Sequence, residues 1–432
     1  MPVDAGGRPR YVARMLLLSL ACAPASKDDT ASPVERQCAV TPALPMGCGD
    51  LNCDGAPDLV FAQTEDATGA YVTPSSVWWG PDFAPAAALA LPTLGAVDVA
   101  AADLDGDDWP DLVFANVSDG VERAVDSYLY WGGPEGYTAD RRTELPTVGA
   151  SDIEIVDVDG DGVLDLIFSN RYDGGSAASA ESYAVDVWIY LGGPEGYAVE
   201  RRLAVPGFGA AQTAARDLDG DGAVDLAVAA GTFWTDTSWV YEGGPAGWSV
   251  DTRRDLPTLA PEAVLARDLD ADGWLDLVFA NFYDALALDI DSTVWWGGPE
   301  GFDPTPTAFP THGADDLHTA DLDGDGCEEL IVANAMEGSF AGLDFEVDSA
   351  AWTFVDRVPT QVGSYPTVSA AALAGGDLNG DGAIDLIFAN RYNPAGESGG
   401  AASYVYWGPG HTERVELPVS GAAGVTFGGG EG

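Results

Sequence analysis

Seven times along this chain, oxygen-bearing side chains crowd into nine residues at alternating positions. The third copy, DVDGDGVLD, places aspartates at 157, 159, 161 and 165. Two carboxylates ~4 Å apart repel by roughly 4 kcal/mol at an effective dielectric near 20, so four together call for a cation between them. Oxygen ligands at positions one, three and five, a turn glycine at six, a backbone carbonyl at seven and a carboxylate at nine suit a hard ion of variable coordination, and calcium fits best. The ligand sets are Asp50, Asn52, Asp54 and Asp58; Asp103, Asp105, Asp107 and Asp111; Asp157, Asp159, Asp161 and Asp165; Asp217, Asp219, Asp221 and Asp225; Asp268, Asp270, Asp272 and Asp276; Asp321, Asp323, Asp325 and Glu329; and Asp377, Asn379, Asp381 and Asp385. The second loop departs from the pattern, with Asp108 where the turn glycine belongs. No helical pattern flanks the loops and no glutamate stands at position twelve, so these are not EF-hands. The expected role is structural, with up to seven ions that would bring the formal charge from −52 to −38.

The loops must be held by something that repeats with them. Their first aspartates are spaced by 53, 54, 60, 51, 53 and 56 residues. A β-type run such as DLVFAN or DLIFSN follows each loop, then an aromatic strand ending in a turn such as YWGGPEGY, then a phrase such as LPTVGA. The sixth unit has AAWTFVDRV in place of the Gly-Gly-Pro turn. Each unit thus offers four short strands, with no sustained helical period anywhere. Such a unit cannot bury both faces alone, whereas radial stacking buries them against neighbours. The expected fold is an all-β, seven-bladed propeller of four-stranded antiparallel blades. Unit one lacks an ordinary first strand, while LPVSGAAGVTF, from Leu417, repeats the phrase that begins LPTVGASDIEI at Leu145. The terminal strand around Val425–Phe427 is therefore expected to complete blade one and close the ring.

The aspartate loop and the aromatic-Gly-Gly-Pro turn, in phase over residues 50–410, resemble the FG-GAP/VCBS repeat of the integrin alpha-chain propeller. That resemblance implies a calcium-binding adhesion or recognition module. The chain differs from integrins in carrying an aspartate loop in every unit and no inserted ligand-binding domain, so integrin ligands are not implied.

Composition narrows the partners. With 70 acidic against 18 basic residues, nucleic acid and anionic membrane surfaces are repelled. With 46% hydrophobic residues a folded core is expected despite the charge. Arg8, Arg10 and Arg14 precede a short apolar run, Met15 to Ala21, which reads as an export signal over residues 1–22. Cys22 after LSLA suggests a lipoprotein signal, with Ser19 where a lipobox has Leu; cleavage near Ala23 or Ala25 without lipid is the alternative. A lipid on Cys22 would be the only membrane attachment of a secreted or outer-surface protein. Residues 23–37 read as a flexible tether and 38–432 as the propeller. Cys38, Cys48, Cys53 and Cys327 permit three pairings, with a disulfide expected near residues 38–53.

In this strand order the aspartate loops and Gly-Gly-Pro turns share one face. The other carries the loops after strand two, which vary in length and composition as binding elements do. Arg171, Tyr172, Phe233, Trp234, Phe282, Tyr283, Arg391 and Tyr392 lie in these loops and suit a sugar or peptide; packing on the neighbouring blade is the competing role for the aromatics. GESGG, at Gly396 to Gly400, lies in a Gly-rich loop rather than a nucleophile elbow, and the three histidines show no metal spacing. The chain is not expected to be an enzyme. It reads as an exported calcium-binding module for a protein or glycan. A carbohydrate-active lyase or hydrolase and a purely structural surface component are the alternatives.

Overall fold

The computed structural model describes residues 50–427, apart from 175–179, 233–234, 245–246, 285–286, 340–341, 397–400 and 420. Seven four-stranded antiparallel sheets form the blades of a propeller. In blade two the strands run Ala96–Ala102, Asp111–Asn116, Asp126–Tyr130 and Arg142–Pro146, from innermost to outermost. The second strand, DLVFAN, is buried at every position. It is covered by sheet neighbours on both edges and by adjacent blades on both faces, which explains an unbroken apolar run where a half-exposed strand would alternate. The fourth strand, at the rim, is half-exposed and polar.

Adjacent blades share their cores. Val60, Val77 and Leu91 of blade one pack with Val99, Phe114 and Tyr130 of blade two. Burying each such side chain is worth about 1.5–3 kcal/mol. Polar ties run beside this packing. Tyr130, Tyr190, Tyr241 and Tyr406, each on a third strand, donate their hydroxyls to the carbonyls of Pro92, Pro146, Pro206 and Pro366. Each of those prolines ends the fourth strand of the preceding blade, so the aromatic before the glycine turn is an inter-blade bolt.

The recurring serine and the threonine of Leu-Pro-Thr form a second clamp. Ser127 Oγ and Thr147 Oγ1 are 2.8 Å apart, and Thr147 donates to the carbonyl of Val125. The same pair recurs as Ser75 with Thr93, Ser238 with Thr258, Ser292 with Thr311 and Ser349 with Thr367.

Ring closure follows the repeat arithmetic. Strand Ala422–Phe427 pairs antiparallel with Leu59–Gln63, matching Val60 to Thr426 and Phe61 to Val425. Blade six departs as its sequence does: Asp348–Val355 and Val358–Pro366 form a long hairpin, and a small extra hairpin, Glu337–Ser339 with Gly342–Asp344, rises from its second loop. Cys327 is disulfide-bonded, but Cys22, Cys38 and Cys48 lie outside the described residues, so the pairing does too. The export signal and tether also lie there.

Candidate functional site

Each aspartate loop is a tight turn built by its own carboxylates. In loop three, Asp157 accepts from the N–H groups of Gly160, Asp161 and Gly162, Asp159 from Asp161, and Asp161 from Val163. The glycines take positive φ, 74° at Gly160 and 86° at Gly162. Loop two keeps this geometry despite its missing glycine. Asp108 itself adopts φ 69°, and its N–H still reaches Asp103 Oδ2 at 3.0 Å.

Position nine does more than the sequence suggests. Asp111 Oδ2 accepts from Leu104 N–H at 2.9 Å, and its Oδ1 accepts from Gly132 N–H at 2.7 Å. Gly132 is the first glycine of the turn between strands three and four. A Cβ there would lie 2.2 Å from the Pro110 carbonyl oxygen, so only glycine fits. The same bridge joins Asp58 to Gly80, Asp165 to Gly192, Asp225 to Gly243, Asp276 to Gly297 and Asp385 to Gly408. In blade six, which lacks the glycine turn, position nine is Glu329, and it bonds Leu322 N–H.

Burial raises these carboxyls first, and repulsion from their loop neighbours adds to it. Asp58 is pushed up to about 6, and Asp111, Asp276 and Glu329 to about 7. In loops two to five, oxygens of positions one, three and nine converge within 4.8 Å of one another: Asp103, Asp105 and Asp111; Asp157, Asp159 and Asp165; Asp217, Asp219 and Asp225; and Asp268, Asp270 and Asp276. Position five stands outside that convergence. These clusters can bind metal ions, and an all-oxygen, strongly anionic donor set fits a hard divalent cation.

On the opposite face the innermost strands open into an axial funnel of about 480 Å³. A register shift marks the start of each innermost strand, as between Ala96 and Asp98, Pro261 and Ala263, and Ala314 and Asp316. Such a bulge re-aims the extra residue. Val97, Glu262 and Asp315, three of those extra residues, line the funnel. Arg171, Phe282 and Arg391, each following the last residue of a second strand, line it too, with Tyr392.

The two arginines are held differently. Arg171 forms an ion pair with Glu262 and donates to the Gly231 carbonyl at 2.6 Å. Arg391 faces Asp315, whose carboxyl is raised by burial against the pull of Arg391. Asp152, also lining the funnel, is raised by burial and then by Asp98 and Glu154.

Of the residues expected to bind a ligand, the funnel gathers Arg171, Phe282, Arg391 and Tyr392. Tyr172 packs instead on Tyr183, under the guanidinium of Arg123. Tyr283 is buried in a small cluster with Ala260 and Leu288. Phe233 and Trp234 lie outside the described residues. Glu262 and Asp315 escaped the sequence reading, although the residue after Gly-Ala, or its counterpart, varies from Val97 to Asp315 within an otherwise regular phrase.

Two stretches, residues 50–114 and 268–332, match the FG-GAP-like repeat family model. No curated protein is significantly similar to the chain. Among solved structures, one of BBS1N in complex with ARL6DN, soaked with mercury, is 16% identical, covering 79% of this chain and 86% of that one, with a TM-score of 0.49. Another, from Bacteroides fragilis NCTC 9343 and named as a candidate 6-phosphogluconolactonase, is 12% identical, covering 87% and 98%, also with a TM-score of 0.49.

Proposed function

We propose that this chain, a seven-bladed propeller of FG-GAP-like repeats, is an exported, calcium-stabilised module that binds a protein or glycan at the cell surface without catalysing a reaction on it. Residues 1–22 direct export, 23–37 tether and 38–432 fold; a lipid on Cys22 would hold the module at the outer surface.

The observation that carries this reading is the contrast between the two faces. One repeats a single acidic loop seven times, and the loop's buried position-nine carboxylate ties it to the neighbouring turn in six blades. Calcium there would supply charge neutralisation, and the residues that would hold it are the converging position-one, -three and -nine side chains, with the position-five side chain joining them only if it turns inward. Uniform sites cannot discriminate among partners. The other face differs from blade to blade and leads into a funnel lined by Arg123, Arg171, Arg391, Tyr71, Phe282 and Tyr392, types that dominate recognition hot spots.

The test is a glycan-array and protein-capture screen of the calcium-loaded chain. Any ligand found should be weakened by Phe282→Ala and Tyr392→Ala but not by Glu135→Ala, in the turn on the loop face. A ligand insensitive to both funnel substitutions, or turned over by the chain, would overturn the reading.

A further inference from the structure

Six buried side-chain nitrogen or oxygen atoms among the described residues have no hydrogen-bond partner, and three cluster in blade seven: Ser369 Oγ, Asn390 Oδ1 and Arg391 Nε. Buried polar atoms are paired in the great majority of cases, so three orphans on neighbouring residues mark an unfinished site. Ser369 and Arg391 line the axial funnel.

This corner departs from its counterparts in each of the three residues. The position before the innermost strand is a glycine of positive φ in five blades: Gly95, Gly149, Gly209, Gly313 and Gly421. Blade seven holds Ser369 there at φ 50°, only 1% exposed. A serine in that region carries backbone strain, and it stands in the funnel wall. In blades two, three, five and six the asparagine ending strand two accepts through Oδ1 from Leu94, Val148, Leu259 and His312 N–H; Asn390 Oδ1 accepts nothing. Arg171 is locked by Glu262 and Gly231, whereas Arg391 keeps an open, buried Nε–H.

An open guanidinium N–H seeks an anion, and its planar fork matches a carboxylate. Asp315 beside it, with Glu65, Asp98, Asp152, Glu262 and Asp316 on the same lining, limits how much negative charge the funnel accepts, which favours one carboxylate over a doubly charged phosphate. Asp315 and Glu262 also supply acceptors for hydroxyl groups, while Tyr392 and Phe282 offer ring faces. The funnel's volume falls within the ~300–1,000 Å³ of small-molecule sites.

The geometry points to a carboxylate-bearing sugar of the uronic-acid class as the axial ligand, with its carboxylate on Arg391 and Ser369 and its ring against Tyr392. This rests on the reading of that face as the binding surface and names the ligand class it takes. A free uronic acid and the acidic end of a polysaccharide present the same chemistry.

The experiment is calorimetric titration of the calcium-loaded chain with glucuronate, with glucose and with a glucuronate-terminated oligosaccharide. Glucuronate should bind and glucose should not; tighter binding of the oligosaccharide would identify a polysaccharide end as the source, and equal or weaker binding the free acid. Arg391→Gln and Ser369→Gly should each lower affinity about tenfold or more. Ser369→Gly should melt no lower than the parent, because glycine suits φ 50°, so its loss of binding could not be ascribed to unfolding. Equal binding of glucose, no binding of glucuronate, or parental affinity in both variants would overturn the inference. If the screen nonetheless finds a ligand that Phe282→Ala weakens, the binding face stands and only the uronic-acid assignment falls.

Discussion

Arg357 Nε lies 2.7 Å from Asp270 Oδ2, so the blade-six hairpin sets a permanent cation against the acidic loop of blade five. The same guanidinium reaches Asp272 at 3.2 Å and Asp303 at 2.8 Å and lies over Trp296. Arg357 occupies a tight turn, φ 63° beside Asp356 at φ 54°, where other blades have their glycine turn.

Arg357→Gln should therefore destabilise the protein more in chelator than in calcium, because a bound divalent ion neutralises the same carboxylates. The Arg357 side chain is 35% exposed, so solvent screening keeps the chelator effect to about 1 kcal/mol, roughly 1–2 °C in melting temperature for a propeller of this size. Equal losses in both buffers, followed by circular dichroism, would contradict it.

Calcium itself should raise the melting temperature. A ligand bound only by the folded state adds about 0.4–1.4 kcal/mol per site at one to ten times its Kd, the range that millimolar calcium reaches at weak extracellular-type sites. Superimposable melting curves in chelator and in calcium would remove calcium from the account.

Asp152→Asn should stabilise the protein increasingly as pH rises. Burial and the nearby Asp98 and Glu154 raise the Asp152 carboxyl. A group raised on folding contributes stability below its unfolded value, near 3.8, and loses that contribution as pH climbs through the folded value. The amide resembles the protonated acid, so variant and parent should melt alike below about pH 4 and diverge above it, by about 1–2 °C for each kcal/mol. A variant less stable than the parent at pH 8 would show that the ionised carboxylate is instead held favourably by Ser169 and Thr213.

Deleting residues 417–432 should abolish cooperative melting. It removes the strand paired with Leu59–Gln63 and strips cover from Phe61, Val405 and Ile387 in the shared core of blades one and seven. The bared edge of Leu59–Gln63 invites association, visible as higher-order species by light scattering. A monomeric truncate melting like the parent would refute the role of that strand.

Much of the fold was legible because its signals are local. Asp157 to Asp165 announces a loop, DLIFSN a covered strand, and the spare LPVSGAAGVTF a closing strand. What sequence could not reveal depends on groups the sheet brings together from afar. Asp111 meets Gly132 only once strands two and three pair, and Arg357 meets Asp270 only across blades. Tyr172 and Tyr392 read alike as residues, yet Tyr172 packs on Tyr183 of its own loop, while Tyr392 meets Phe345 from the preceding blade edge-on and still borders the funnel. Glu262 and Asp315 went unmarked in a regular phrase, because only a bulge at each of them turns them toward the axis.

The pairing of Leu59–Gln63 with Ala422–Phe427 also fixes an order of events during synthesis. Blades two to seven are each made of one continuous stretch and can form as they emerge. Blade one cannot, because its innermost strand is made after all the strands of the other six blades. At about 5–20 residues per second, Leu59 waits on the order of 20–70 s for its partner, with its strand edge bare. The ring locks only once Ala422–Phe427 has been made.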